Sequence, residues 1–249
     1  MKLFLEKKSF SFEFPYEIIN SKYKFLQKKG WIIKLKNEHN QIGFGEISPL
    51  LQNDLKICQK EINTLSRIIN EINLKEIIKQ FHPCIQSGIN SAFAEMRGLI
   101  TFKNYYPFEE IDQTTILLQS KRVLEDFIKI KNAKKYKDKN LTLKWKVAIE
   151  DNINEERILE YILSEIPQNM KIRIDANGSW SRKIAKRWVD ILKNNKNLDW
   201  LEQPLEENDI EGLKKLLEII PIALDESLIK FPKLIHSWDG WQIRRPSQE

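Results

Sequence analysis

Lys171-Ile172-Arg173-Ile174-Asp175-Ala176, Leu198-Asp199-Trp200-Leu201-Glu202 and Pro221-Ile222-Ala223-Leu224-Asp225 are the stretches whose reading decides the fold. Each is of strand length and rich in β-branched, aromatic or other apolar residues, and each ends on or next to an acid. Working outward, further strands are expected at Thr114–Leu118, Leu141–Ala148 and Trp241–Arg244. Amphipathic helical stretches separate them; one carries Ile158, Ile162 and Ile166 on one face, with Leu159 and Leu163 beside it. Repeated βα units imply a parallel sheet with right-handed crossovers. A closed βα barrel averages about 30 residues per unit, which suits the observed strand spacing, so a barrel fits at least as well as an open sheet.

The part before this alternation reads as α+β. Gly30–Lys36 and Gln41–Ile47 alternate in the manner of strands, and Asn37-Glu38-His39-Asn40 between them has the chemistry of a hairpin turn. Asp54 to about Phe81 has apolar positions at helical spacing, Leu55, Ile62, Leu65, Ile69 and Ile72 among them, and a further helix is expected from about Ser87 to Leu99. The expected organisation is a first domain over residues 1–112 and a catalytic (β/α) domain over 113–249.

Composition excludes several classes. The chain has 249 residues, 41% of them hydrophobic, which is enough for a sizeable core. No run of about 18 uncharged apolar residues is present, so no membrane span is expected. The N-terminus has no apolar stretch after its basic start, which argues against a secretory signal and for a cytoplasmic protein. The net charge of +6 is spread among Asp and Glu rather than gathered in a patch, so no nucleic-acid partner is expected; the densest stretch, Lys131 to Lys139, reads as a solvated helix end and loop. Cys58 and Cys84 are expected as buried or half-buried thiols, and His39, His82 and His236 show no ligand spacing. Nothing in the sequence reports the oligomeric state.

The chemistry lies in the carboxylates. Asp175, Glu202 and Asp225 end consecutive strands, at the edge where barrel active sites are built. One acid after a strand is readily a helix N-cap; three in succession suggest that a cation holds them, and hard oxygen ligands favour Mg²⁺. On the preceding strand, Lys144 and Lys146 are two residues apart and share a face. Burying ammonium groups is costly without partners, and the acids would supply partners.

Lys144-x-Lys146, Arg173-Ile174-Asp175-Ala176-Asn177-Gly178, Trp200-Leu201-Glu202-Gln203-Pro204-Leu205 and Pro221-Ile222-Ala223-Leu224-Asp225-Glu226-Ser227 together resemble the enolase superfamily. Within it they resemble the muconate-lactonising subgroup and its o-succinylbenzoate synthase family. Gly43-Phe44-Gly45-Glu46-Ile47-Ser48-Pro49 resembles a segment of that family's N-terminal capping domain. The resemblance implies an α/β fold with an α+β capping domain before a (β/α)-barrel. It implies Asp175, Glu202 and Asp225 as Mg²⁺ ligands, Lys146 as the proton-abstracting base, Lys144 as its companion, and Asn177 and Glu226 as their neighbours. The implied substrate is a small-molecule carboxylate. The implied reaction is syn dehydration of 2-succinyl-6-hydroxy-2,4-cyclohexadiene-1-carboxylate to o-succinylbenzoate, a step of menaquinone and phylloquinone biosynthesis.

Arg245 departs from the pattern, since the family usually has lysine before the proline that Pro246 matches. Arginine is a poor second base, and epimerases need a base on each face of the carbon, so Arg245 favours a dehydratase that uses it to stabilise a planar anion. A dipeptide epimerase, or another racemase or cycloisomerase of the superfamily, is the alternative. The chain stops soon after its sixth expected strand, and a closed barrel takes about 250 residues, so the barrel is expected to be truncated and a non-catalytic remnant is a further alternative.

Overall fold

The computed structural model describes residues 1–100, 114–137 and 139–245. The expected domain boundary at residues 112 and 113 and the proline at 246 lie outside them. By their contacts the described residues form two units. One comprises Met1–Tyr16, residues 25–100 and Arg245; the other comprises Glu17–Lys24 and residues 114–244.

The first unit is built on an antiparallel sheet of order β3-β2-β1-β4, with β1 at Lys2–Ile19, β2 at Lys24–Asn37, β3 at Ile42–Ile47 and β4 at Ile68–Asn70. The expected hairpin is β2–β3, with Trp31 opposite Ile47 and Lys36 opposite Ile42. Asn37 fastens its turn: its side-chain oxygen accepts from the main-chain N–H of His39 and Gln41. Helix α3 (Pro83–Met96) packs directly on β3. A Cβ on Gly43 would lie 2.0 Å from the Ala92 carbonyl oxygen, and one on Gly45 1.8 Å from that of Gly88. The Gly-x-Gly pattern thus exists because helix and strand backbones touch.

The single helix expected from Asp54 to Phe81 is two, α1 (Gln52–Thr64) and α2 (Glu71–Ile78), with β4 between them. Ile69 fits a helical apolar stripe by spacing, but it lies opposite Leu3 in the sheet, and Phe4 lies opposite Ile68. The β-branched pair Ile68-Ile69 supplies β1 with a partner, and the sheet's demand outweighs local periodicity. The side chain of Asn70 then accepts from Ile72 N and starts α2. The helix expected to begin at Ser87 begins at Pro83, where proline needs no N–H partner.

The second unit contains a six-stranded parallel sheet of order β10-β9-β8-β7-β6-β5. Its strands are β5 (Thr114–Leu118), β6 (Leu141–Lys146), β7 (Met170–Asp175), β8 (Leu198–Glu202), β9 (Ile222–Leu224) and β10 (Trp241–Gln242). Helices α4 (Val123–Asn132), α5 (Asn152–Glu165), α6 (Arg182–Leu192), α7 (Ile210–Leu217) and α8 (Glu226–Lys230) alternate with them. Each expected strand is present, though four end one or two residues early, so that Asp175 and Glu202 are terminal strand residues and Asp225 follows β9 directly. One set of alternate residues forms the core with the helices: Leu143, Trp145, Ile172, Ile174, Leu201, Ile222 and Leu224 are all buried. Trp188 of α6 lies between Trp145 and Trp180, with ring centroids 6.0 and 4.5 Å away.

Both cysteines are buried and free. Among the described residues, no helix is long and apolar enough to cross a membrane.

Candidate active site at the ends of the parallel strands

The other set of alternate residues is polar. Strand register sets Lys146 beside Asp175, Asp175 beside Glu202, and Glu202 beside Ala223, so the base candidate and two acids form one row across three strands. One step toward the N-terminal edge, Lys144, Arg173 and Trp200 form the next row. The Arg173 guanidinium lies 3.7 Å from the Trp200 ring centre, and Trp200 stacks on Trp241 at 5.0 Å.

The lysines and acids pair. Lys144 Nζ lies 2.7 Å from both carboxylate oxygens of Glu202 and 3.1 Å from Asp175 Oδ2. Lys146 Nζ lies 2.5 Å from Asp175 Oδ2 and donates to Asn177 Oδ1 at 3.2 Å. Asn177 has a left-handed backbone, φ 47°. Its N–H donates to Asp175 Oδ1 and its amide nitrogen to Glu226 Oε1, at 3.1 and 3.0 Å. The two polar neighbours named from the sequence, Asn177 and Glu226, therefore touch each other, and Asn177 touches both Lys146 and Asp175.

Burial shapes the charges here. The Glu202 carboxyl is pushed up to about 7, first by burial and then by the charge of Asp175, with Asp225 adding and Lys144 opposing. Burial would also raise Asp175, but Lys146 and Lys144 hold it below the ordinary carboxylate range. Burial pushes the Lys144 ammonium down, yet Asp175 and Glu202 outweigh it and keep it above the usual lysine value. The lysines thus offset burial at Asp175 but not at Glu202.

Asp175, Glu202 and Asp225 are buried, and carboxylate oxygens are the donors that magnesium takes. The side chains do not gather all three acids at ligating distance of one point. Among the described residues, no group of three or more His, Cys, Asp or Glu is placed to hold a metal ion. Asp175 and Glu202 meet instead at Lys144 Nζ, because like charges spread apart unless a cation draws them in. Arg245 is half-buried beyond β10 and Arg244 is exposed; by its contacts Arg245 goes with the first unit.

Two participants escaped the sequence reading. Glu155, in α5, is buried and accepts from the backbone N–H groups of Ala148, Ile149 and Glu150, at 2.8, 3.1 and 3.2 Å. Those residues form the turn that leaves Lys146, and Ala148 has φ 61°. Burial raises the Glu155 carboxyl, and the three N–H groups only partly offset it. Its position on the stripe with Leu159, Ile162 and Ile166 is the signal that could have revealed a buried acid. Gln203 is the second; its neighbours Glu202 and Pro204 drew the attention. In the arm at 17–24, Ser179 Oγ donates to Ser21 Oγ at 2.7 Å, and Lys22 stands 3.9 Å from Glu207.

Residues 130–237 match the family described as Enolase C-terminal domain-like. The o-succinylbenzoate synthase of Thermosynechococcus vestitus is 28% identical over 226 residues, covering 86% of this chain and 66% of that protein. A hydrophobic dipeptide epimerase of a Flavobacteria bacterium is 34% identical over 90 residues, covering 34% of this chain and 26% of that protein. The chain thus spans about two thirds of the synthase's length and about a quarter of the epimerase's. The crystal structure of o-succinylbenzoate synthase from Thermosynechococcus elongatus BP-1, complexed with Mg in the active site, superposes with a TM-score of 0.71 at 24% identity, covering 98% of this chain and 77% of that one. Residues 130–237 of this chain thus form an enolase C-terminal domain-like region.

Proposed function

We propose that this chain carries the active site of an o-succinylbenzoate synthase, a hydro-lyase that dehydrates 2-succinyl-6-hydroxy-2,4-cyclohexadiene-1-carboxylate. The observation that carries the reading is the row Lys146–Asp175–Glu202, with Lys144 on the same face. Asp175, Glu202 and Asp225 would hold Mg²⁺, which when bound offsets the negative charge that develops on the substrate carboxylate. Lys146 removes the proton next to that carboxylate and returns it to the departing hydroxide on the same face, so one residue serves as base and acid. Asn177, in contact with Lys146 and Asp175, orients both. Lys144 supplies a fixed positive charge beside the carboxylates. Arg245 is assigned the face of the planar anion, as a charge rather than a base. The similarity to a dipeptide epimerase supports the rival reading, in which a second base stands where Arg245 does. A cytoplasmic setting accompanies the proposed role.

The test is incubation of the chain with the cyclohexadiene carboxylate, with and without Mg²⁺, following aromatic product by absorbance. Magnesium-dependent product formation supports the reading. Epimerisation of hydrophobic dipeptides in D₂O, without dehydration, would replace it with the rival.

A further inference from the structure

Gln203 joins the ends of the strands that carry the three acids, and it is completely buried. Its main chain reaches both ways. Its N–H donates to the Ala223 carbonyl in β9 at 2.8 Å, and its carbonyl accepts from Gly178 N, three residues beyond Asp175, at 2.6 Å. The side chain completes the junction. Gln203 Oε1 accepts from Asp225 N and Ser227 N at 3.1 and 3.2 Å. Gln203 Nε2 donates to the Leu205 carbonyl at 2.9 Å and to Ser227 Oγ at 2.8 Å. Ser227 Oγ in turn donates to the Glu207 carbonyl at 3.1 Å.

Both amide donors and both lone pairs of the amide oxygen are therefore used. The orientation is fixed as well: turning the amide over would set its NH₂ against two N–H donors and its oxygen against a carbonyl. Gln203 holds this position with a left-handed backbone, φ 36°, a conformation that costs a non-glycine residue energy. A glutamine needed only to fill space would not require four directed contacts with the end of β9, the start of α8 and the loop after β8.

We propose that Gln203 is a positioning residue that clamps the Asp225 backbone to the end of β8. The clamp fixes the Asp225 backbone against the strand end that carries Glu202, so that both side chains can turn toward one shared divalent cation. The inference rests on the proposed role of Glu202 and Asp225 as Mg²⁺ ligands. Partners of metal ligands typically contribute about 10–100-fold to affinity.

The experiment measures Mg²⁺ binding by calorimetry on the whole chain, with urea unfolding in the absence of Mg²⁺ alongside. Gln203→Met keeps length and volume but removes every amide contact. Ser227→Ala is milder, removes one arm of the clamp, and serves if Gln203→Met does not fold. The Mg²⁺ Kd of folded Gln203→Met is expected to rise at least about 10-fold, and that of Ser227→Ala by a smaller factor, about 3-fold. A merely structural role would lower the urea midpoint and leave the Kd of the folded protein unchanged, and that result in either variant overturns the proposal. Glu202→Gln separates the two levels of the argument. If it abolishes Mg²⁺ binding while Gln203→Met binds normally, the clamp alone is wrong. If the unsubstituted chain binds no Mg²⁺, or Glu202→Gln binds as well as it does, the ligand assignment fails and the clamp falls with it.

Discussion

The two faces of the six-stranded parallel sheet are built from the same strands yet do different work. The face made by Leu143, Trp145, Ile172, Ile174, Leu201 and Leu224 packs against helices and is wholly apolar. The face made by Lys144, Lys146, Arg173, Asp175, Trp200 and Glu202 is charged, and its groups satisfy one another. Alternation along a strand separates them by a single residue. The first face stabilises through burial, which depends on volume and is indifferent to the identity of any one atom. The second holds charges out of water, at a cost in stability, in positions where they can act. Stability and chemistry should therefore respond to different substitutions on adjacent residues.

The largest expected effect tests that separation directly. Lys146→Ala should lower turnover of the cyclohexadiene substrate by at least about 10²–10⁴-fold, because in the proposed mechanism one group serves as base and acid. Its melting temperature should fall only modestly, since buried Asp175 loses the Lys146 ammonium but keeps Lys144 at 3.1 Å. Steady-state rates and a thermal melt together check it. A near-normal rate would remove Lys146 from the mechanism, and a collapsed melt would mean that the charged face also holds up the fold.

The next effect is its mirror image. Trp188→Ala empties the space between Trp145 and Trp180 on the apolar side. It should cost about 3–5 kcal/mol of stability by urea unfolding, with Mg²⁺ affinity per folded molecule retained. Loss of Mg²⁺ binding in the folded fraction would show that the two faces are coupled.

This division explains what was legible in the sequence. The parallel strands were visible because burial on one face and acids at the ends leave marks that propensity and position can read, as in Ile172, Ile174 and Asp175. The turn between β2 and β3 was equally plain, since Asn37 and its neighbours state a hairpin chemically. The segment around Ile68 and Ile69 was not, because its apolar spacing suits a helix and only the presence of β1 makes it a strand. The placement of Asp175, Glu202 and Asp225 at consecutive strand ends was legible; that Asp175 and Glu202 meet at Lys144 was not, since it depends on how neighbouring side chains share charge. Gln203 and Glu155 were hidden for a common reason. Each acts on backbone N–H groups, and which N–H groups lack partners is decided by turns that no local pattern announces.

Glu155 lies where the comparison blurs. It occupies the buried stripe of α5, but its carboxylate binds the turn that follows Lys146. Removing it deprives three part-buried N–H groups of their acceptor, at about 1 kcal/mol for the first of them. Glu155→Ala should therefore lose both stability and turnover, unlike either substitution above. Stability lost with kcat unchanged would make Glu155 a core residue and nothing more.

Asp151 supplies the control that gives this result its meaning, and it carries the smallest expected effect. It stands four residues before Glu155 and also accepts backbone N–H groups, from Ile153 at 3.0 Å and Asn154 at 3.3 Å. Those belong to the first turn of α5, so Asp151 is an ordinary exposed N-cap. Asp151→Ala should cost about 1 kcal/mol in urea unfolding and leave kcat unaltered. Asp151 caps the start of the helix, whereas Glu155 reaches back to the turn that follows Lys146. If Asp151→Ala lowers kcat as Glu155→Ala does, the turn after Lys146 is governed by the helix as a whole and not by the Glu155 carboxylate. If the cap variant loses only stability while Glu155→Ala loses both, the link from α5 to the charged face runs through those three N–H bonds.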